Sequence, residues 1–134
     1  MAELLHEGLT FEIIGAAMEV HRVLGPGFLE SVYQRGMEAE LGHRQISFEP
    51  QKRIVVEYKG ESLGEHVLDL VVGGAVVVEL KSVKDLNEQH QAQTISYLKA
   101  FGLSVGLLIN FAKSHLEHKR ILLKDAFRLP SESV

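Results

Sequence analysis

VLDLVVGGAVVVELKSV, residues 67–83, sets two valine-rich runs either side of a glycine pair and interrupts them with three ionisable side chains, Asp69, Glu79 and Lys81. β-Branched runs flanking Gly73-Gly74 predict a hairpin. Side chains alternate faces along a strand, so Glu79 and Lys81 share one face, while Leu68, Leu70, Val76, Val78 and Leu80 can form an apolar opposite face. One side is then core and the other carries chemistry. Parity makes a demand on the turn. A two-residue Gly73-Gly74 turn would pair Asp69 with Val78 and scatter the charges. A three-residue loop of Gly73, Gly74 and Ala75 sets Asp69 opposite Glu79, about 5 Å across the ladder, where two carboxylates can share one cation. An odd-length loop or a bulge is therefore expected. The bland alternative is a strand-end Glu–Lys pair and an edge aspartate that discourage aggregation. Spacing alone does not separate the two.

Upstream, Ile13, Ala17, Val20 and Leu24 recur at helical spacing behind Thr10 as N-cap, and Gly25-Pro26-Gly27 stops the pattern, predicting a helix over 11–24. Leu29, Val32, Gly36 and Ala39 repeat the period, with Gly42 as the stop, for a second helix over 27–41. Ile54, Val55, Val56 and Tyr58 before Lys59-Gly60 read as a strand, making a meander of three with the valine hairpin. Downstream, Asp85 and Glu88 suggest a capping box for a helix over 86–101 carrying Ile95 and Leu98. LSVGLLINF then reads as a strand, with Ile121 to Leu123 as an additional one and RLPSESV as a loose tail. The order ααβββαβ(β) predicts one α/β (α+β) domain over residues 1–134, its core about 10–124, with a mixed central sheet flanked by helices.

At 134 residues with 46% hydrophobic content, the chain can fill one core. Its apolar runs fall far short of the roughly 20 residues that span a bilayer, so no membrane partner is expected. The opening MAELLHEGLTFE lacks a cationic and apolar export pattern, which makes the cytoplasm the expected location. With no cysteine, disulfides, thiolate catalysis and cysteine-ligated metals are excluded, and any metal must be held by oxygen or imidazole. Two close carboxylates repel unless a cation neutralises them, and hard oxygen ligands suit Mg2+ or Mn2+. Lys81 can then orient or help activate water. The net charge of −4 does not mark a general polyanion binder. A nucleic-acid role needs a local basic surface, for which Arg44, Lys52, Arg53 and the stretch His115 to Arg120 are the candidates, although scattered charges are more often a solvated face.

GPGFLESVY carries Gly27, Glu30 and Tyr33 in the spacing of the GxxExxY protein family, a branch of the PD-(D/E)XK nuclease-like superfamily, and the chain resembles that family further. The likeness runs through VHRVLGPGF, LDLVV, VVELKSV, QAQTISYLKAFG and GLLINF, most of residues 10–111, and is specific only in combination. It implies a restriction-endonuclease-like core of helix, three strands, helix and strand. It further implies that Asp69 and Glu79 are metal ligands, that Lys81 is the motif's lysine, and that Glu30 approaches the metal from a core helix. The aspartate is followed by Leu70, so the name motif is present in its loose form. Gln93 and Tyr97 resemble the Q-x-x-x-Y motif of RecB-like nucleases, one turn apart on one helix face.

The resemblance thus implies Mg2+- or Mn2+-dependent hydrolysis of nucleic acid, DNA before RNA, with Glu30, Asp69, Glu79, Lys81, Gln93 and Tyr97 as the catalytic set. Bland readings stand beside it. An acid near a helix N-terminus, as Glu30 is, is favourable whatever its role. Gln93 and Tyr97 can be a hydrogen-bonding pair, Tyr33 is read as packing, and His21 as a satisfied structural histidine outside the site. The competing function is a catalytically weak or silent nuclease-fold module that binds or regulates as a homo-oligomer, a homodimer first.

Overall fold

The computed structural model describes residues 5–123; the predicted tail RLPSESV lies outside them. Helices α1 (Glu7–Leu24) and α2 (Glu30–His43) precede strands β1 (Phe48–Tyr58), β2 (Glu61–Val72) and β3 (Val76–Lys81). Helix α3 (Glu88–Phe101) and strands β4 (Val105–Asn110) and β5 (Glu117–Leu122) follow. The sheet runs β1-β2-β3-β4-β5, antiparallel except where β3 lies parallel to β4. That one parallel pair is where a crossover helix is required, and α3 supplies it. The architecture is mixed α/β, a five-stranded mixed sheet flanked by helices, as the predicted order of elements implies. Among the described residues no helix is long and apolar enough to cross a membrane.

Both faces of the sheet are covered. Ile13, Ala16, Ala17 and Val20 of α1 and Tyr33, Met37 and Leu41 of α2 pack on Leu70, Val72, Val76, Val78, Leu80, Leu107 and Ile109. On the other face Leu98 of α3, with Ile95, Tyr97 and Phe101, packs on Leu68, Val71, Val77 and Leu108. Strands buried on both sides read as continuous apolar runs, which is why VVVEL and VGLLIN show so little alternation.

Several expected details shift. Helix α1 begins a turn earlier than predicted, extending the apolar stripe to Leu9, which packs beside Gly73. Thr10 is therefore not a cap; its buried hydroxyl donates to the Glu7 carbonyl at 3.0 Å. Helix α2 starts at Glu30, because Gly25 and Gly27 hold left-handed backbone with φ of 73° and 112°, and it passes Gly42 to end at His43. Its buried face is Tyr33, Met37 and Leu41, not the predicted stripe, from which Leu29 is 77% exposed. Three large side chains at i, i+4, i+8 bury more apolar area than Val32 and Ala39 could. The cap of α3 is Asn87 with His90, each side chain bonded to the other's backbone N–H at 3.0 and 3.1 Å. Asp85 instead meets Lys113 at 3.0 Å.

Candidate active site

The hairpin between β2 and β3 pairs Val72 with Val76, so its loop has three residues, Gly73, Gly74 and Ala75, as parity demanded. The two glycines take φ of 61° and 65°, backbone that glycine adopts without a Cβ penalty. Pairing continues through Val71↔Val77 and Leu70↔Val78 and then ends, one step short of Asp69 and Glu79. Where the ladder stops, each carboxylate takes over a backbone donor of the opposite strand. Asp69 N–H donates to Glu79 Oε2 at 2.9 Å, and Leu80 N–H donates to Asp69 Oδ2 at 2.7 Å.

One expectation about faces fails here. Leu68 packs on the α3 side with Val71, whereas Leu70 and Val72 face α1 and α2, so β2 changes face at Asp69. Asp69 borders a cleft of about 330 Å3 with Glu30, Ser31, Gln34, Gln51 and Leu80. Glu79 keeps the parity of Val77, towards α3. The two acids meet through the opened ladder and not on an uninterrupted face.

Burial governs their titration. Glu79, 4% exposed, is pushed up to about 8, first by burial and then by the Asp69 charge, with Lys81 and the Asp69 N–H opposing. The Asp69 carboxyl is raised as well, by burial first, against the pull of the Leu80 N–H. Glu30, the first residue of α2, adds negative charge to both, and its Oε2 accepts from Ser82 N–H at 3.0 Å. Among the described residues no three Asp, Glu or His side chains stand in an arrangement that holds a metal.

On the α3 side Lys81 Nζ donates to Gln93 Oε1 at 3.4 Å. Tyr97, one turn on, stacks on His66 with ring centroids 3.8 Å apart and 18° between planes. Burial, then the charges of Glu79 and Asp69, raise the Tyr97 phenol, while burial and the Lys81 cation lower His66. His66 keeps a buried Nε2 without a hydrogen-bond partner. All six residues singled out in the sequence therefore surround the end of the β2–β3 ladder.

Others there were not anticipated. Gln34, buried, donates from Nε2 to the Asp69 carbonyl and to Glu38 Oε2, both at 2.9 Å. Its signal was available, since it stands four residues after Glu30 on the same helix face. Asn110, fully buried beside Lys81 in the β3–β4 register, grips the loop after the lysine by accepting from Val83 N–H at 3.0 Å and donating to Val83 O at 2.8 Å. Tyr33 does more than pack. Its ring stacks on Phe111 with centroids 4.5 Å apart, and its hydroxyl donates to Gly25 O at 2.6 Å while accepting from Phe28 N–H at 3.1 Å. The entry to Glu30 is stapled by those two bonds. Tyr33→Phe keeps the stack and should cost about 1–2 kcal/mol in urea unfolding, against about 3–5 for Tyr33→Ala. A Tyr33→Phe protein as stable as wild type would mean the hydroxyl bonds carry nothing.

His21 is structural, as read, with Nε2 at 2.9 Å from the Lys113 carbonyl. Three of the basic candidates are ion-paired, Arg44 with Glu40, Lys52 with Glu49 and Arg53 with Glu65, at 2.8, 3.2 and 2.9 Å, while Arg120 of the His115–Arg120 stretch donates to the Thr10 hydroxyl at 3.1 Å.

A sequence model of the PD-(D/E)XK nuclease superfamily matches residues 7–121. The fold is similar to the crystal structure of SSO0001, with a TM-score of 0.57 and 17% identity over 77% of this chain. The chain spans about half of that protein, 52% of its length. It is also similar to an alkaline exonuclease from Laribacter hongkongensis, with a TM-score of 0.50 and 11% identity over 82% of this chain and 77% of that one. No curated protein matches the sequence. Identities this low speak for the fold alone; the family match covers nearly all the described elements, and the chain belongs to the PD-(D/E)XK nuclease superfamily.

Proposed function

We propose that the chain is a divalent-metal-dependent nuclease that hydrolyses phosphodiester bonds, DNA ahead of RNA, as a single domain in the cytoplasm. The observation that carries this is the pair of carboxylates at the end of an opened ladder, Glu79 buried and Asp69 half-buried, with a lysine two residues on. Members of this superfamily generally use divalent metals. The donor set fits such an ion, because two neighbouring carboxylates held against repulsion and partial burial are relieved by a hard cation of the Mg2+ or Mn2+ kind. Asp69 and Glu79 would hold it, and Glu30 would join once released from Ser82 N–H. Such an ion supplies polarisation of the phosphoryl oxygen and a lowered pKa for attacking water.

The protein's own groups do the rest. Lys81, steadied by Gln93, stabilises charge that develops on the phosphoryl group or positions the water. Tyr97, fixed by its stack on His66, lines the approach from α3. Gly27, Glu30 and Tyr33 support placing the chain in the GxxExxY branch, since the glycine's left-handed backbone and the tyrosine's hydroxyl bonds both serve the entry to Glu30.

A panel of single-stranded and duplex DNA and RNA, incubated with Mg2+ or Mn2+, tests the reading beside folded Glu79→Ala and Lys81→Ala proteins. Metal-dependent cleavage that falls at least a hundredfold in both variants is expected. Cleavage that survives both substitutions would come from elsewhere. One observation favours the second reading, a silent homo-oligomeric binding module: Glu30, Asp69 and Glu79 each accept a backbone N–H and so can serve to fasten the fold. On that reading Mn2+ produces no binding heat and no melting shift.

A further inference from the structure

Four non-glycine residues among those described have left-handed backbone, and three of them, His6, Gln45 and Lys59, stand at helix ends or in the β1–β2 turn. The fourth is different. Gln51, with φ of 51°, lies inside β1. Pro50 pairs with Leu70 and Lys52 with Leu68, so Gln51 stands opposite Asp69, and those two form no ladder pair. Regular alternation would put Phe48 and Ile54 on one face, yet Phe48 packs towards α1 and α2 and Ile54 towards α3. The left-handed step at Gln51 thus matches the face change at Asp69 and turns an exposed amide into the rim of the cleft that holds Asp69 and Glu30.

A glutamine in left-handed backbone is strained, and glycine would make the same step freely. Strain of this kind inside a strand is retained where the side chain it presents is used. Gln34, the other amide of the cleft, is already committed to Asp69 O and Glu38. Next to the acids a cationic side chain would form an ion pair with them, whereas a neutral amide remains available to a phosphate or sugar oxygen. None of the residues lining the cleft, Glu30, Ser31, Gln34, Gln51, Asp69 and Leu80, is a cation that could do this work.

We propose that the cleft is a substrate subsite in which Gln51 contacts the sugar-phosphate backbone of the nucleic-acid strand whose bond lies at Asp69 and Glu79. This rests on the nuclease reading above. The test uses Lys81→Ala protein, which keeps the strand uncut, with Mn2+ and a fluorescein-labelled single-stranded DNA read by anisotropy. Adding Gln51→Gly should leave the melting temperature and the calorimetric Mn2+ affinity unchanged, or the melting temperature higher, and weaken DNA binding about tenfold. Gln51→Glu, of the same shape, should weaken it at least as much, because a carboxylate repels phosphate.

Unchanged DNA affinity in the glycine variant overturns the proposal and leaves Gln51 as the residue at which β1 changes face. A clear fall in melting temperature makes its side chain part of the fold, and a changed Mn2+ affinity makes it part of the metal site; either also overturns a separate subsite. If the Lys81→Ala protein with Gln51 intact binds no DNA, it is the nucleic-acid reading itself that fails.

Discussion

In chelator, wild-type protein should lose stability as pH rises from about 4.5 to about 8, and Glu79→Gln should abolish most of that loss. The unfolded chain releases the Glu79 proton near its ordinary value of 4.5, whereas the folded chain keeps it to about 8. Between those limits the folded state binds more protons than the unfolded one, so stability falls with pH; below 4.5 and above 8 this group adds no slope. Burial of a carboxylate beside Asp69 is the cause. A glutamine of the same length stays neutral, and its carbonyl oxygen can still accept the Asp69 N–H that Glu79 Oε2 accepts. The gain at pH 8.5 should be on the order of 2–4 kcal/mol, and near zero at pH 4. Urea unfolding of both proteins in chelator at the two pH values reads it directly. Because the lowered His66 adds an opposite slope in the same range, the difference between the two proteins is what counts, and a Glu79→Gln protein with the wild-type pH dependence would mean that Glu79 is ionised without strain.

The reading of the hairpin shows how much of the site was legible in the sequence. Side-chain parity alone required an odd-length loop, and Gly73, Gly74 and Ala75 form one. Parity also misled, because it assigned Leu68 to the face of Leu70 when β2 changes face between them. A face change needs a break in two strands at once, Gln51 in β1 and Asp69 in β2, and their pairing is set by tertiary register that no local pattern records. Helix boundaries slipped for a related reason. Thr10 and Asp85 have the chemistry of N-caps, but the helix start is decided by which apolar turn the core can bury, and that choice brought in Leu9 and passed the cap to Asn87. The basic residues had the opposite problem. Arg44, Lys52 and Arg53 look available as letters, and their acidic partners, at four residues, three residues and one strand away, become evident only as pairs.

The geometry at the ladder's end also accounts for costly acids inside a buried sheet. A carboxylate accepting one strong backbone bond is partly compensated, so each acid can remain in place without a cation and still be unfavourable enough to welcome one. The mutual N–H contacts hold the pair in position before any ligand arrives, which lowers the ordering cost of binding.

Asp69→Asn separates those two contributions. Its amide oxygen can keep the Leu80 N–H bond, now 2.7 Å long, so the backbone link across the opened ladder survives. The negative charge does not. Because burial is the leading cause of the raised Asp69 pKa, and Glu30 adds to it, neutralising the group should leave metal-free stability unchanged or higher. For a shared-cation site, loss of one of two anionic ligands should weaken Mn2+ at least a hundredfold and remove the Mn2+-induced rise in melting temperature expected of wild type. Stability and metal affinity then move apart in a single substitution. An aspartate that serves only to fasten two strands predicts the reverse pattern, a loss of roughly 0.5–2 kcal/mol without metal and no change in any response to Mn2+. Urea titrations in chelator and in Mn2+, run on both proteins at pH 8.5, distinguish the two by sign, and a clear metal-free loss in the asparagine protein would count against a site built to hold a cation.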